Sequence, residues 1–279
     1  MTVINTNTGS LYAQQALTTN ARGLATVMQQ LSTGKRINNA VDDVAGMAIS
    51  TRLTSQIRGL NQAIRNTNDG ISLIQTAEGA TEQVTNMLQR MRELAVQSSN
   101  DTNNSTDRTY LNLEFQALTS QIGDIANFTQ WNGADILNQK GGASGVFTFQ
   151  VGANSGQTIA ISFSNLTTQA SAGALSDLGA QNITNTSNSS AALGIIVSAL
   201  DKVSLERSNM GATISRLQFT SDNLANVSAK AQESRSRIED TDYSQATTEL
   251  AKRNIIQQAA QAMLAQANQA PQMVLQLLR

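Results

Sequence analysis

The sequence predicts a mainly α protein: a long antiparallel helical bundle or coiled coil with paired N- and C-terminal helices and a small β-hairpin region in the middle. Three observations predict it. Apolar residues recur at alternating steps of three and four along most of the 279 residues. One stretch, residues 146–163, switches to a period of two. Only 4% of residues are aromatic and 14% charged, which suits long, thin helical packing better than a thick globular core.

The last stretch shows the period most clearly. Ile256, Ala260, Met263, Ala267, Ala270, Val274 and Leu277 form an unbroken heptad seam. Between Asn254 and Leu278 no residue is charged. A solvated helix face normally carries Lys, Arg, Glu or Asp, so a neutral Gln/Asn/Ala face is suited to contact or confinement. Fixing the backbone costs about 1–2 kcal/mol per residue. Burying the seam returns about 1–3 kcal/mol for each large residue and less for each alanine. Such a helix is marginal alone and needs partners. Pro271 lies inside the seam and predicts a kink or one lost hydrogen bond.

The N-terminal stretch repeats the theme. Leu17, Leu24 and Leu31 lie seven apart, with Ala21, Val27 and Met28 between them, predicting a helix over 11–33 that Gly34 ends. Asn38, Asn39, Asp42 and Asp43 then offer caps for the next helix. From 43 to 99 the seam runs through Leu53, Ile57, Leu60, Ile64, Thr67, Ile71 and Ile74, slips by one residue near Glu78-Gly79, and continues through Ala77, Thr81, Val84, Leu88, Met91 and Ala95. The slip changes the supercoil locally without ending the helix, and the rod would be about 80 Å long. Residues 98–105, a Ser/Asn/Asp/Thr run, break it, and a further helix is predicted over 106–127.

Trp131-Asn132-Gly133 reads as a turn, and 146–151 with 157–163 as a β-hairpin around Gly152 to Gly156. Residues 164–190 read as a Ser/Thr/Asn/Gly-rich loop with a short turn of structure. Helix returns over 190–237 and, after a break at Asp240–Asp242, continues to the end. Antiparallel return of the second half onto the first places both chain ends at one tip. The predicted organisation is a terminal-helix domain of 1–42 with 236–279, a helical rod of 43–140 with 190–235, and a short hairpin-and-loop segment, 141–189.

Composition excludes much chemistry. The net charge of −1 predicts no general attraction to nucleic acid or anionic lipid, although residues 1–41 hold Arg22, Lys35 and Arg36 and no acid. There is no Cys and no His, so disulfides, the usual zinc ligands and the commonest acid–base side chain are absent. The first residues lack the basic and apolar regions of a secretory signal, and no apolar run approaches the ~20 residues that span a bilayer. The expectation is a protein that stays in the cytosol or leaves by a signal-less route, with no membrane insertion.

Gly34-Lys35 lacks the Gly and Ser/Thr that a phosphate-binding loop needs at Gln29 and Arg36. Asp42-Asp43 and Glu239-Asp240-Asp242 read as caps rather than metal ligands. The terminal helix lacks the Lys and Arg of an interfacial membrane helix. No enzyme and no cofactor are expected. A structural, self-assembling protein remains, with an unspecific coiled-coil interaction protein as the bland alternative.

Several motifs sharpen this. Leu31-Ser32-Thr33-Gly34-Lys35-Arg36-Ile37-Asn38-Asn39-Ala40-Val41-Asp42-Asp43-Val44-Ala45-Gly46 resembles the N-terminal signature of bacterial flagellin. Gln89-Arg90-Met91-Arg92-Glu93-Leu94-Ala95-Val96-Gln97, Trp131-Asn132-Gly133 and Arg237-Ile238-Glu239-Asp240-Thr241-Asp242-Tyr243 resemble its next three. Ala265-Gln266-Ala267-Asn268-Gln269 and Val274-Leu275-Gln276-Leu277-Leu278-Arg279 resemble its C-terminus. Trp131 stands where many members have Phe.

The resemblance implies a secreted flagellar filament subunit used in motility, polymerising through Leu17, Leu24, Leu31 and the terminal seam. Terminal helices would form an inner tube, long helices an outer one, and the short middle a hairpin-bearing projection. It implies export, unfolded, by the flagellar type III system, with the Gln/Asn face lining the channel. Implied partners are other copies of the chain, the flagellar cap and hook-associated proteins, and a flagellin export chaperone holding the C-terminal helix. Toll-like receptor 5 would be met on the host side at Arg90, Leu94 and Glu114, and Val274, Leu275, Leu277 and Leu278 resemble a segment sensed by cytosolic inflammasome receptors. Two rivals are the hook–filament junction protein, which usually lacks the Arg92–Gln97 stretch, and a cell-surface glycan-binding flagellin homologue.

Overall fold

The computed structural model describes residues 6–168 and 173–277, with side chains through residue 269. The chain divides into two compact units, one built from residues 1–57 and 229–279 and the other from 58–228.

The first unit contains α1 (Thr8–Thr33) and α6 (Tyr243–Leu277), together with the start of α2 (Val44–Ser98) and the end of α5 (Thr186–Glu239). Asn7 caps α1 by accepting the Ser10 N–H at 3.0 Å. Gly34 ends it at φ 71°, its N–H donating to the Gln30 carbonyl. That left-handed cap is open to glycine without strain. Asp43 caps the next helix through the Gly46 N–H at 2.8 Å, while Asp42 accepts the N–H groups of Asn38 and Asn39. Asp242 caps α6 by accepting the Ser244 N–H at 2.9 Å. Asp43 and Asp242 therefore serve helix starts, while Asp42 braces the turn that precedes one.

The two linkers of this unit are stitched together. Lys35 and Asp240 pair in an isolated antiparallel bridge. The Thr241 N–H donates to the Gly34 carbonyl at 2.9 Å, and the Arg36 N–H to the Glu239 carbonyl at 2.6 Å. From that stitch α1 and α6 run antiparallel: Asn20 Nδ2 donates to the Arg253 carbonyl at 2.8 Å and Asn7 Nδ2 to the Ala267 carbonyl at 2.7 Å.

The helix assignment of α6 continues through Pro271 to Leu277. Of the two outcomes expected at Pro271, the lost hydrogen bond is the one its chemistry dictates, and it falls on the carbonyl four residues earlier. That carbonyl belongs to Ala267, the group to which Asn7 donates.

The second unit is built on the rest of α2 and α5, with α3 (Ser105–Phe128) and the short α4 (Ser176–Gly179). A capping box starts α3, with Asn104 and Asp107 each accepting the other's backbone N–H. A two-residue hairpin follows, β1 (Gln130–Trp131) with β2 (Ala134–Asp135). Asn132 and Gly133 hold φ 48° and 79° at its turn, the pair of positive values that a primed turn demands. Then β3 (Val146–Gln150) and β4 (Thr158–Ser162) pair antiparallel, Val146 opposite Ser162 and Gln150 opposite Thr158.

The core of this unit corrects one expectation. The described part of 141–189 is anchored in the helical core rather than projecting free of it: Ile159, Ile161, Phe163, Leu166, Leu178 and Ile183 are buried in one cluster with Leu88, Met91, Phe115, Ile122, Ile196 and Leu217. Strand β4 alternates exposed and buried residues, so its period of two turns Ile159 and Ile161 inward. The polar segment after it is tied down by side chains reaching its backbone. Ser98 Oγ donates to the Ile183 carbonyl at 2.6 Å, Gln116 Nε2 to the Gln181 carbonyl at 2.6 Å, and the Ile183 N–H to Asn112 Oδ1 at 2.9 Å. A few aliphatic anchors and satisfied backbone groups suffice where periodicity gives no signal.

Candidate assembly surface

The residues of α1 that face α6 follow the three-and-four rhythm, with Asn20 and Val27 buried and Leu17, Leu24 and Leu31 half-buried between them. On α6 the covered residues are Ala246, which is buried, and Glu249, Leu250, Arg253, Gln257, Ala260, Leu264 and Ala267, which are half-buried. The predicted seam shares only Ala260 and Ala267 with that face. Ile256 and Met263 stand one position aside and are 41% and 65% exposed. Among the described seam residues, Ile256 and Met263 are therefore not covered by α1. An intramolecular stripe and an unpartnered apolar stripe lie side by side on one helix. Ala270, Val274, Leu275, Leu277 and Leu278 fall outside the described side chains.

The exposed stripe has company. Ile255 on α6 and Leu11, Tyr12 and Met28 on α1 are also exposed. Sequence reading named Met28 but passed over Leu11, Tyr12 and Ile255, which sit off the heptad rows. The signal at Leu11 and Tyr12 was the neutral surroundings, since residues 1–21 carry no charged side chain to keep an apolar one wet.

The polar groups of this unit are arranged to hold the pair in register. Asn7 and Asn20 reach across to α6 carbonyls. The Arg253 guanidinium covers Gly23, where an added Cβ would overlap it, and Arg253 Nε lies 2.9 Å from Glu249. At the stitched linkers Glu239 accepts from Lys35 Nζ at 2.5 Å and Ser50 Oγ at 2.6 Å, with Arg235 Nε at 4.0 Å. Hydrogen bonds from Lys35 and then Ser50 hold its carboxyl below the usual value, against the opposing effect of burial.

The second predicted site lies in the other unit. Arg90 on α2 bridges Glu114 on α3 and Glu93 on its own helix, each at 2.9 Å. Hydrogen bonds donated to Glu114 and then to Glu93 raise the already high pKa of this exposed guanidinium. Leu94 is the exception. It is 1% exposed and part of the core, so it has no surface to offer a partner and acts by seating the helix. The surface around it is instead Gln89, Arg92, Glu93, Val96, Gln97 and Leu200, which line a shallow groove. The family resemblance named Leu94 as a surface residue, but only the packing of the larger unit's core around α2 decides which side of the helix is covered.

Among the described residues no group of three or more His, Cys, Asp or Glu is placed to hold a metal ion, and no helix is long and apolar enough to cross a membrane.

Comparison with known proteins bears on the arrangement as a whole. Residues 4–142 match the bacterial flagellin N-terminal helical region and residues 193–278 the bacterial flagellin C-terminal helical region. The chain is 47% identical over 277 residues to a flagellin of Halalkalibacterium halodurans, covering 99% of this chain and 100% of that one. It is 38% identical over 307 residues to a flagellin of Bacillus subtilis, covering 99% of each. The crystal structure of Bacillus cereus flagellin superposes with a TM-score of 0.50 at 30% identity, over 57% of this chain and 88% of that one. A putative flagellar hook-associated protein from Vibrio parahaemolyticus shares the fold, with a TM-score of 0.59 at 14% identity over 71% of this chain and 100% of that one. Both matched regions and the full-length relatives agree with a helical chain whose ends pair and whose flanks stay apolar: it belongs to the bacterial flagellin family, a structural rather than enzymatic one, and is a subunit of the extracellular flagellar filament.

Proposed function

We propose that the chain polymerises through the apolar stripe of its terminal helices, residues 1–42 with 236–279 acting as the assembling part and 43–140 with 190–235 as the supporting rod. The observation that carries this is the exposure of Ile255, Ile256 and Met263 on α6 and Leu11, Tyr12 and Met28 on α1. These helices already satisfy each other through a different face, so the leftover apolar surface is available to further copies. Met263→Gln and Leu264→Ala separate the two faces. The first should raise the critical concentration for polymerisation with little change in the monomer, and the second should loosen the helix pair itself. Equal effects of both on monomer and polymer would overturn the assignment of faces.

The finer expectations belong to the same proposal. The chain travels unfolded through the flagellar type III exporter, with the uncharged Gln/Asn face of α6 reducing adhesion to the channel and an export chaperone holding the C-terminal helix beforehand. The cap and hook-associated proteins meet it at the filament ends. The monomer is recognised by Toll-like receptor 5 through Arg90, Glu114 and the exposed side of Gln89–Gln97, a surface supported by the paired geometry of Arg90 with Glu114. Electron microscopy of purified chains tests the main reading against the hook–filament junction alternative: long tubular polymers are expected, and short caps or junctions would refute it.

A further inference from the structure

Glu206 is a buried acid with no cation. It is 5% exposed, and both its oxygens accept from one residue, the Ser164 N–H at 3.1 Å and the Ser164 Oγ–H at 2.7 Å. Among the described residues it makes no ion pair. The cations nearest to it on α5 are engaged elsewhere, Lys202 with Asp177 and the Ala174 carbonyl, and Arg207 with Glu78. Buried carboxyl groups are ordinarily paired, because removal from water is repaid only by a fixed opposite charge.

Beside it lies a groove of about 670 Å³ that Glu206 lines together with Gln139, Ser162, Asn209, Thr213 and Arg216. The lining offers hydroxyl and amide groups around the acid; Arg216 also lines the groove, with its backbone about 15 Å further along α5, and forms no ion pair with Glu206 among the described residues. We propose that this groove receives the guanidinium of an arginine from a neighbouring copy of the chain, which completes the ion pair that Glu206 lacks.

A second copy is the occupant the charges favour. A filament subunit meets other copies on its flanks, and the part of α2 in the larger unit carries exposed arginines at 58, 65 and 92 that form no ion pair among the described residues. The acid without a cation and the cations without acids are thus on the same polypeptide. The groove and these arginines belong to the larger unit, so the proposed contact joins the larger units of two copies. The inference rests on the chain being a filament subunit, and wild-type assembly checks that on its own.

The test is sedimentation of polymer from purified full-length chains over a range of salt. Glu206→Gln keeps the shape and an acceptor for Ser164 but cannot balance a cation. It should raise the critical concentration about tenfold and flatten its salt dependence. Ser164→Ala leaves the charge in place and should leave assembly near wild type. One of Arg58→Gln, Arg65→Gln and Arg92→Gln should reproduce the E206Q effect and add nothing to it in combination. The proposal is overturned if E206Q assembles like wild type, if Ser164→Ala impairs assembly as much as E206Q, or if none of the three arginines couples to Glu206.

Discussion

Asn7 and Pro271 make a joint prediction. Proline has no N–H, so the Ala267 carbonyl loses its helical donor, and Asn7 Nδ2 supplies one from α1 at 2.7 Å. The same side chain caps α1 through Oδ1 and the Ser10 N–H at 3.0 Å. Asn7→Ser separates these roles, since serine caps about as well as asparagine but is too short to reach across. The loss is then the inter-helix hydrogen bond, about 1 kcal/mol net, rising toward about 2–3 kcal/mol to the extent that the carbonyl is shut off from water. Pro271→Ala gives Ala267 an internal donor again, and in that background Asn7→Ser should cost almost nothing. The four combinations form a double-mutant cycle read by urea melts of the terminal helices in far-ultraviolet circular dichroism. A coupling of about 1 kcal/mol is expected. If Asn7→Ser costs the same with proline as with alanine at 271, the pinning of α1 to a proline-freed carbonyl is wrong.

Three further outcomes follow from the packing. Glu239 has its folded pKa held below the unfolded value by Lys35 and Ser50, so its contribution is complete above the unfolded value near 4.3 and is lost as pH falls through the folded one; Glu239→Gln should cost about 1–2 kcal/mol at neutral pH and flatten the acid limb of the unit's melting profile. Leu94→Ala should destabilise the larger unit by about 2–5 kcal/mol, whereas Arg90→Ala, which breaks only exposed pairs, should cost under about 1 kcal/mol; thermal melts beside a receptor-binding measurement then tell a lost contact from a lost fold. Phe163→Ala, within the segment expected to project, should lower stability by about 3–5 kcal/mol, and a melt unchanged from wild type would return that segment to the surface.

The elements themselves were legible because their causes are local. Heptad spacing, the glycine at 34, the acids at 42, 43 and 242, the Asn104–Asp107 box and the Asn132-Gly133 turn each act within a few residues. Observed helix limits accordingly differ little from those read from the chain, with α5 reaching back to Thr186 and α1 to Thr8. The candidate sites were less legible. Met263 was named from the heptad and Leu94 from the family resemblance, both as residues offered to partners, yet Leu94 is buried and Met263 exposed.

What the sequence alone determined is which segments are helical, where they stop, and that both ends carry more apolar surface than one partner can cover; these depend on backbone hydrogen bonding and side-chain period. What only the tertiary structure decided is which stripe of each helix is consumed inside the molecule. That choice depends on non-local groups, Asn20 on Arg253, Asn7 on Ala267 and Ser164 on Glu206, whose separations of tens to hundreds of residues leave no periodic trace. A helix rotated by a single position presents a different row to its neighbour, and the rotation is fixed by packing and polar satisfaction across the interface rather than by anything within the helix.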